Sequence, residues 1–117
     1  MKPASKKVYT YHVKKALDYI YQNYEKPLTL EDMAKYLGLN KGYFCKLFRM
    51  ETGKTFSQFL NELRVKKSKE LLLNTNLSIL DVALAVGYNN QNYYNMSFKK
   101  LTGTTPLKYR KYNGCCQ

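Results

Sequence analysis

The stretch LTLEDMAKYLGLN (Leu28–Asn40) and its later counterpart LSILDVALAVGYNN (Leu77–Asn90) decide the fold between them. In the first, Thr29 is a candidate N-cap followed by Glu31 and Asp32, acids that suit the positive end of a helix dipole. Leu30, Met33, Ala34 and Leu37 recur at helical spacing, and Gly38 ends the helix. In the second, Ser78 takes the cap, Ile79, Val82, Ala83 and Val86 take the same face, and Gly87 is the stop. Gly87 lies 49 positions after Gly38 (87 − 38). Past the glycine the turn of the second copy is one residue longer. The match continues at a shift of 50: Asn40 with Asn90, Phe48 with Phe98, Thr52-Gly53 with Thr102-Gly103, Thr55 with Thr105. The chain holds two copies of one unit.

Each copy reads as cap, short amphipathic helix, glycine turn, asparagine cap and a longer helix ending in Thr-Gly. This is the order of a helix-turn-helix, whose second helix enters the major groove of DNA. A plain helical repeat that stacks only for stability is the alternative. The basic, polar-faced second helix in both copies favours the helix-turn-helix. Between the copies, TFSQFLNELRVKKSKELLLNT predicts one long helix capped by Thr55. From Phe56 to about Leu73 it measures roughly 27 Å at 1.5 Å per residue, comparable with the roughly 34 Å between major-groove openings on one face of DNA. Upstream, Val13, Ala16, Leu17, Ile20, Tyr21 and Tyr24 form the apolar stripe of a first helix that ends before Glu25-Lys26-Pro27. A last short helix begins at Pro106 behind a Thr105 cap.

A chain of 117 residues, 44% hydrophobic, fits one domain. Twenty Lys and Arg against eight Asp and Glu give a net charge of +12, spread from Lys6 to Lys111, so a polyanion is the first partner to expect. A basic balance also suits anionic membrane surfaces. The sequence has no apolar run of membrane-spanning length, and its N-terminus has no apolar signal core. An intracellular protein is expected on that ground, and the resemblance set out below places it in the bacterial cytoplasm, on the nucleoid when bound. Cys45, Cys115 and Cys116 read as reduced thiols, and His12 as an exposed side chain without metal-ligand partners. With no paired-carboxylate site, Ser/His/Asp set or phosphate-cradling glycine loop, neither an enzyme nor a metal or cofactor is expected.

The second helices carry the chemistry. In the first copy Phe44, Leu47 and Phe48 point inward, leaving Lys41, Gly42, Cys45, Lys46 and Arg49 outward. In the second, Tyr94, Phe98 and Leu101 point inward and Gln91, Asn92, Asn95, Met96 and Lys99 outward. Asn and Gln match the N6/N7 edge of adenine, Lys matches the O6/N7 acceptors of guanine, and a Met stem can meet a thymine methyl. Asn90 is assigned to the cap and Asn89 to the turn. Tyr43 and Tyr93 lie at the stripe's edge, with packing the expected role. Lys54, Lys100 and Lys108 flank helix ends where phosphate contact is expected. The capping Thr29, Thr55, Ser78 and Thr105 mark helix N-termini that favour phosphate. Arg64, Lys66, Lys67 and Lys69 are weaker candidates, since Arg64 can equally pair with Glu62 or Glu70.

LTLEDMAKYLGLNKGYFCKLFRMETGKTFSQFLNELRVKKSKELL followed by SILDVALAVGYNNQNYYNMSFKKLTGTTPLKYRK resembles the DNA-binding domain of the AraC/XylS family of bacterial transcription regulators, over about Val13 to Lys111. The resemblance implies an all-α fold of seven helices, two helix-turn-helix subdomains joined by the long helix. It implies reading of adjacent major-groove segments of double-stranded promoter DNA, with activation through contact with RNA polymerase. A protein-interaction or nonspecific nucleic-acid-binding module is the alternative. Carried onto this sequence, the base-reading positions are Gly42, Cys45 and Lys46, then Gln91, Asn92, Asn95 and Met96. Arg49 and Lys99 face phosphates. Gly42 and Cys45 depart from what base reading needs, which shifts the first subdomain's reading to Lys46 and Lys41. Met96 stands where a longer polar or basic side chain is common. Gly42 also lowers helix propensity. The expected divisions are a flexible lead (1–10), a first subdomain (about 11–54), the connector (about 55–74), a second subdomain (about 77–112) and a tail (113–117). The EKPLTLEDMA and ETGKTFSQFLNELR segments are most similar to those of sensor-linked members. That similarity leans toward a C-terminal piece that follows an effector-binding or receiver domain, rather than a stand-alone regulator.

Overall fold

A computed structural model describes residues 8–114. Seven helices follow in order: α1 (Tyr11–Asn23), α2 (Leu30–Leu37), α3 (Lys41–Thr52), α4 (Phe56–Asn74), α5 (Ile79–Ala85), α6 (Gln91–Thr102) and α7 (Pro106–Gly114). No strand occurs among the described residues. The all-α class, with two helix-turn-helix pairs and a long α4 between them, agrees with the sequence reading. Cys115 and Cys116 and the start of the lead lie outside the described residues.

The chain divides into two compact units. Among the described residues, one holds those up to Asn23 together with Leu28–Phe56, and the other holds Tyr24–Pro27 together with those from Ser57. In the first, Val13, Ala16 and Ile20 of α1, Met33, Ala34 and Leu37 of α2, and Phe44 and Phe48 of α3 are buried. Phe56 completes an aromatic trio with Phe44 and Phe48, at ring separations of 6.4 and 6.3 Å. Such edge and tilted geometries add to the large apolar area these rings remove from water. Thr10, just ahead of α1, donates through its amide and its hydroxyl to Glu51 of α3 (2.9 and 2.8 Å).

In the second unit Val65, Leu72, Val82, Ala83, Val86, Tyr88, Tyr94 and Phe98 form one cluster, with Tyr24, Leu71, Ile79 and Tyr109 packed against it. The buried positions of α4 (Phe56, Leu60, Leu63, Arg64, Val65, Ser68 and Leu72) cover about 200° of its circumference at 100° per residue. A helix buried over more than half its surface shows no single apolar stripe in sequence.

Two arginines donate to main-chain carbonyls that would otherwise lack a partner. Arg64 donates from Nε to Tyr24 O (2.7 Å) and from Nη2 to Lys26 O (2.9 Å), just past α1. Arg110 donates likewise to Leu72 O (2.9 Å) and Thr75 O (3.3 Å) at the end of α4. Arg64 therefore pairs with neither Glu62 nor Glu70, as its sequence spacing allowed. It is only 9% exposed, and Glu70 instead faces Lys67 at 3.9 Å. Gly87 explains the close fit around Arg64. At φ +107 its missing side chain leaves room for Tyr24 O and the guanidinium, which a Cβ would meet at 2.7 and 2.8 Å.

Other expectations need correction. Tyr24 lies just beyond α1, which ends at Asn23, and it packs on the second unit's core. Tyr21 is 52% exposed, since the buried stripe of α1 narrows to Val13, Ala16 and Ile20. Leu101 is exposed rather than inward; its counterpart 50 positions earlier, Glu51, is a polar position of the same helix turn. His12 is half-buried, not exposed, and its Nδ1 has no hydrogen-bond partner among the described residues.

Candidate nucleic-acid interface

The turn of each helix-turn-helix is built by the same three devices. Thr29 Oγ1 accepts from Asp32 N (3.0 Å) while Asp32 Oδ2 accepts from Thr29 N (3.3 Å), and Ser78 Oγ accepts from Asp81 N (3.0 Å). At the helix ends, Gly38 N and Leu39 N donate to Lys35 O and Ala34 O. Gly87 N and Tyr88 N donate to Leu84 O and Ala83 O in the same pattern. These crossed bonds are a Schellman arrangement, which needs a left-handed residue where the two glycines stand. Asn40 and Asn90 then cap the second helices, their Oδ1 atoms accepting from Tyr43 N (3.1 Å) and Tyr93 N (2.8 Å). The Oδ1 of Asn90 is thus taken up by the helix cap, as the sequence suggested.

What the second helices present differs. On α3, Lys41, Gly42, Cys45, Lys46 and Arg49 are all exposed. A shallow groove of about 370 Å³ runs along this face, lined by Gly42, Cys45, Lys46, Arg49, Thr55 and Phe56. Lys41 is engaged: its Nζ lies 2.9 Å from Glu31 Oε2. The hydrogen bond from Lys41 holds the Glu31 carboxyl below the usual carboxylate range, and the same bond raises the Lys41 ammonium. The first unit's basic face is thus partly neutralised within the protein.

On α6, Gln91, Asn92, Met96, Lys99 and Lys100 are exposed. Asn95, expected on the same open face, is half-buried. Its Oδ1 is shielded from solvent and has no hydrogen-bond partner among the described residues. Lys100 borders a pocket of about 140 Å³ with Gln58, Asn61, Glu62, Ser97 and Leu101. Tyr43 and Tyr93 are 54% and 48% exposed, and the Tyr93 ring packs edge-on against Tyr88 at 5.5 Å.

The candidate phosphate positions also separate. Thr29 and Ser78 are exposed, but both groups of Thr29 are occupied by Asp32. Lys54, Thr55 and Thr105 are half-buried, and Thr105 Oγ1 accepts from Lys108 N (3.2 Å) as the cap of α7. Arg49 and Lys99 stand exposed in the last turns of α3 and α6. Among the described residues no group of three or more His, Cys, Asp or Glu is placed to hold a metal ion, and no helix is long and apolar enough to cross a membrane. Sequence reasoning missed Asn61, which lies between the hydroxyls of Tyr88 and Tyr93. Only its distance in sequence from α6 concealed it.

A family model described as a helix-turn-helix domain matches residues 33–112. Among curated proteins, the melibiose operon regulatory protein of Escherichia coli (strain K12) is 33% identical over 101 residues, covering 86% of this chain and 33% of that protein. The chain thus spans about a third of the length of that relative. Among solved structures, the C-terminal domain of AraT, a response regulator from Geobacillus stearothermophilus, matches with a TM-score of 0.87 and 35% identity over 89% of this chain and 87% of that one. The DNA-binding domain of AdpA, a global transcriptional factor solved in complex with a target DNA, shares the fold at a TM-score of 0.82 and 22% identity, covering 86% and 90% of the two chains. With the two helix-turn-helix units in place and the model match spanning most of both, the chain belongs to the AraC-type family of helix-turn-helix transcription regulators.

Proposed function

We propose that this domain is a sequence-specific reader of double-stranded promoter DNA, with α3 and α6 each entering one of two adjacent major-groove segments. The observation that carries the reading is the pair of capped helix-turn-helix units, each with an exposed polar second helix, in a chain of net charge +12. Gln91 and Asn92 read adenine edges, Lys46 and Lys41 read guanine acceptors, and Met96 offers an apolar contact to a thymine methyl. Arg49 and Lys99 neutralise phosphates and set the register without carrying sequence information. Residues 11–54 and 77–112 are the two reading subdomains, with 55–74 as connector. Transcription activation through contact with RNA polymerase rests on the family resemblance alone.

Selection of bound duplexes from a random pool tests the reading. The expected product is an asymmetric motif spanning two major grooves. An unenriched pool contradicts it and favours a basic module that binds nucleic acid without sequence preference or docks on an acidic protein.

A further inference from the structure

We propose that Asn61 of α4 is a positioning residue that turns the hydroxyl proton of Tyr93 outward, making Tyr93 a donor to a DNA backbone phosphate at the first turn of α6. The inference rests on the DNA-binding reading above. Three groups of the second unit form a short chain. Tyr88 Oη lies 3.1 Å from Asn61 Oδ1, and Asn61 Nδ2 lies 3.3 Å from Tyr93 Oη.

The direction of the chain follows from burial. Tyr88 is 3% exposed, and burial pushes its phenol up to about 12, outweighing the opposite pull of the Ser97 hydroxyl and the Arg64 guanidinium. The hydroxyl therefore keeps its proton, and a buried O–H must donate. Its nearer acceptor is Asn61 Oδ1, at 3.1 Å against 3.5 Å for Asn61 O. An amide that turns its oxygen toward Tyr88 presents its NH₂ to Tyr93. Tyr93 Oη then accepts, and its own proton is left for another acceptor.

Position supports the same end. Tyr93 is the third residue of α6, its amide donates to the capping Asn90 side chain, and its ring meets Tyr88 edge-on at 5.5 Å. The ring is thereby held from two sides while 48% of the residue stays exposed. A hydroxyl fixed beside a helix N-terminus, in a chain this basic, suits a singly bonded phosphate oxygen.

The test uses the chain with a duplex recovered from the random pool, comparing wild type, Tyr93→Phe, Asn61→Leu and the double variant. Tyr93→Phe is expected to weaken binding about tenfold, the effect of one hydrogen bond to a charged acceptor. The loss should be equal on unrelated duplexes. It should leave the slope of log K against log salt unchanged, because a neutral hydroxyl releases no counterion. Lys99→Ala, the control, should flatten that slope by about 1. Asn61→Leu should lose as much as Tyr93→Phe, and the double variant no more than either. If Asn61→Leu fails to fold, Tyr88→Phe combined with it removes the stranded buried hydroxyl and carries the same comparison. Wild-type affinity in Tyr93→Phe overturns the proposal while leaving DNA binding intact, as do losses that multiply in the double variant. A wild-type chain that binds no duplex overturns the DNA-binding reading and this proposal with it.

Discussion

The helix pairs α2–α3 and α5–α6 share their backbone-setting residues and little of their exposed surface. Caps, left-handed glycines and inward aromatics recur at shifts of 49 and 50, while the exposed residues change from Lys41, Gly42, Cys45 and Lys46 to Gln91, Asn92 and Met96. One copy offers charge with few directional groups, part of it tied to Glu31. The other offers two exposed amides, which donate and accept at fixed angles. Under the proposed function, the same frame serves one helix suited to holding DNA and another suited to reading it.

The largest contrast lies in the frame itself. Gly38 and Gly87 occupy the same position of the Schellman arrangement, yet a Cβ at Gly38 would meet nothing within 4 Å, whereas one at Gly87 would strike Tyr24 O and Arg64. Gly38→Ala should cost about 1–2 kcal/mol, the strain of a left-handed alanine. Gly87→Ala should cost about 3 kcal/mol or more, because overpacking adds to that strain. Urea unfolding of both variants checks this, and equal losses would remove the special role given to the Arg64 contact.

The next contrast lies within α6. Asn92 is open and Asn95 is half-buried with a shielded Oδ1. Asn92→Ala should cost about 1–3 kcal/mol of discrimination at one base pair, the value of a bidentate contact. Asn95→Ala should cost less discrimination. Competition binding with single-base variants of a selected duplex measures both, and a reversed order would show that Asn95 rotates into the groove on binding.

The smallest effect concerns the ion pair that the second copy lacks, since the position matching Glu31 is Leu80. Glu31→Gln should raise duplex affinity about two- to threefold by freeing Lys41, in keeping with the low worth of exposed pairs. In a Lys41→Ala background the gain should shrink. A gain of full size there would assign it to the lost negative charge alone.

Much of this was legible in the sequence because the signals were local. Thr29, Ser78, Asn40 and Asn90 cap the turns that follow them, and the glycines sit one step past the periodic residues. Even Thr105 and Pro106 could be placed, since cap and first-turn chemistry acts within four residues. What escaped depends on partners far along the chain. Arg64 reaches carbonyls 38 and 40 positions away, and Asn61 meets tyrosines 27 and 32 positions away. Spacing along one helix pointed Arg64 toward acids that burial makes irrelevant. Leu101 was misplaced for a related reason: an apolar residue in a helix's last turn continues the stripe in sequence after the core has ended.

The most direct measurement is the selected motif itself, obtained with the wild-type chain, with Asn92→Ala and with Lys46→Ala. If α6 is the principal reader, the wild-type motif has one sharper half, which Asn92→Ala degrades and Lys46→Ala leaves in place. A sharper half that survives Asn92→Ala and disappears with Lys46→Ala would contradict that claim and make α3 the reading helix.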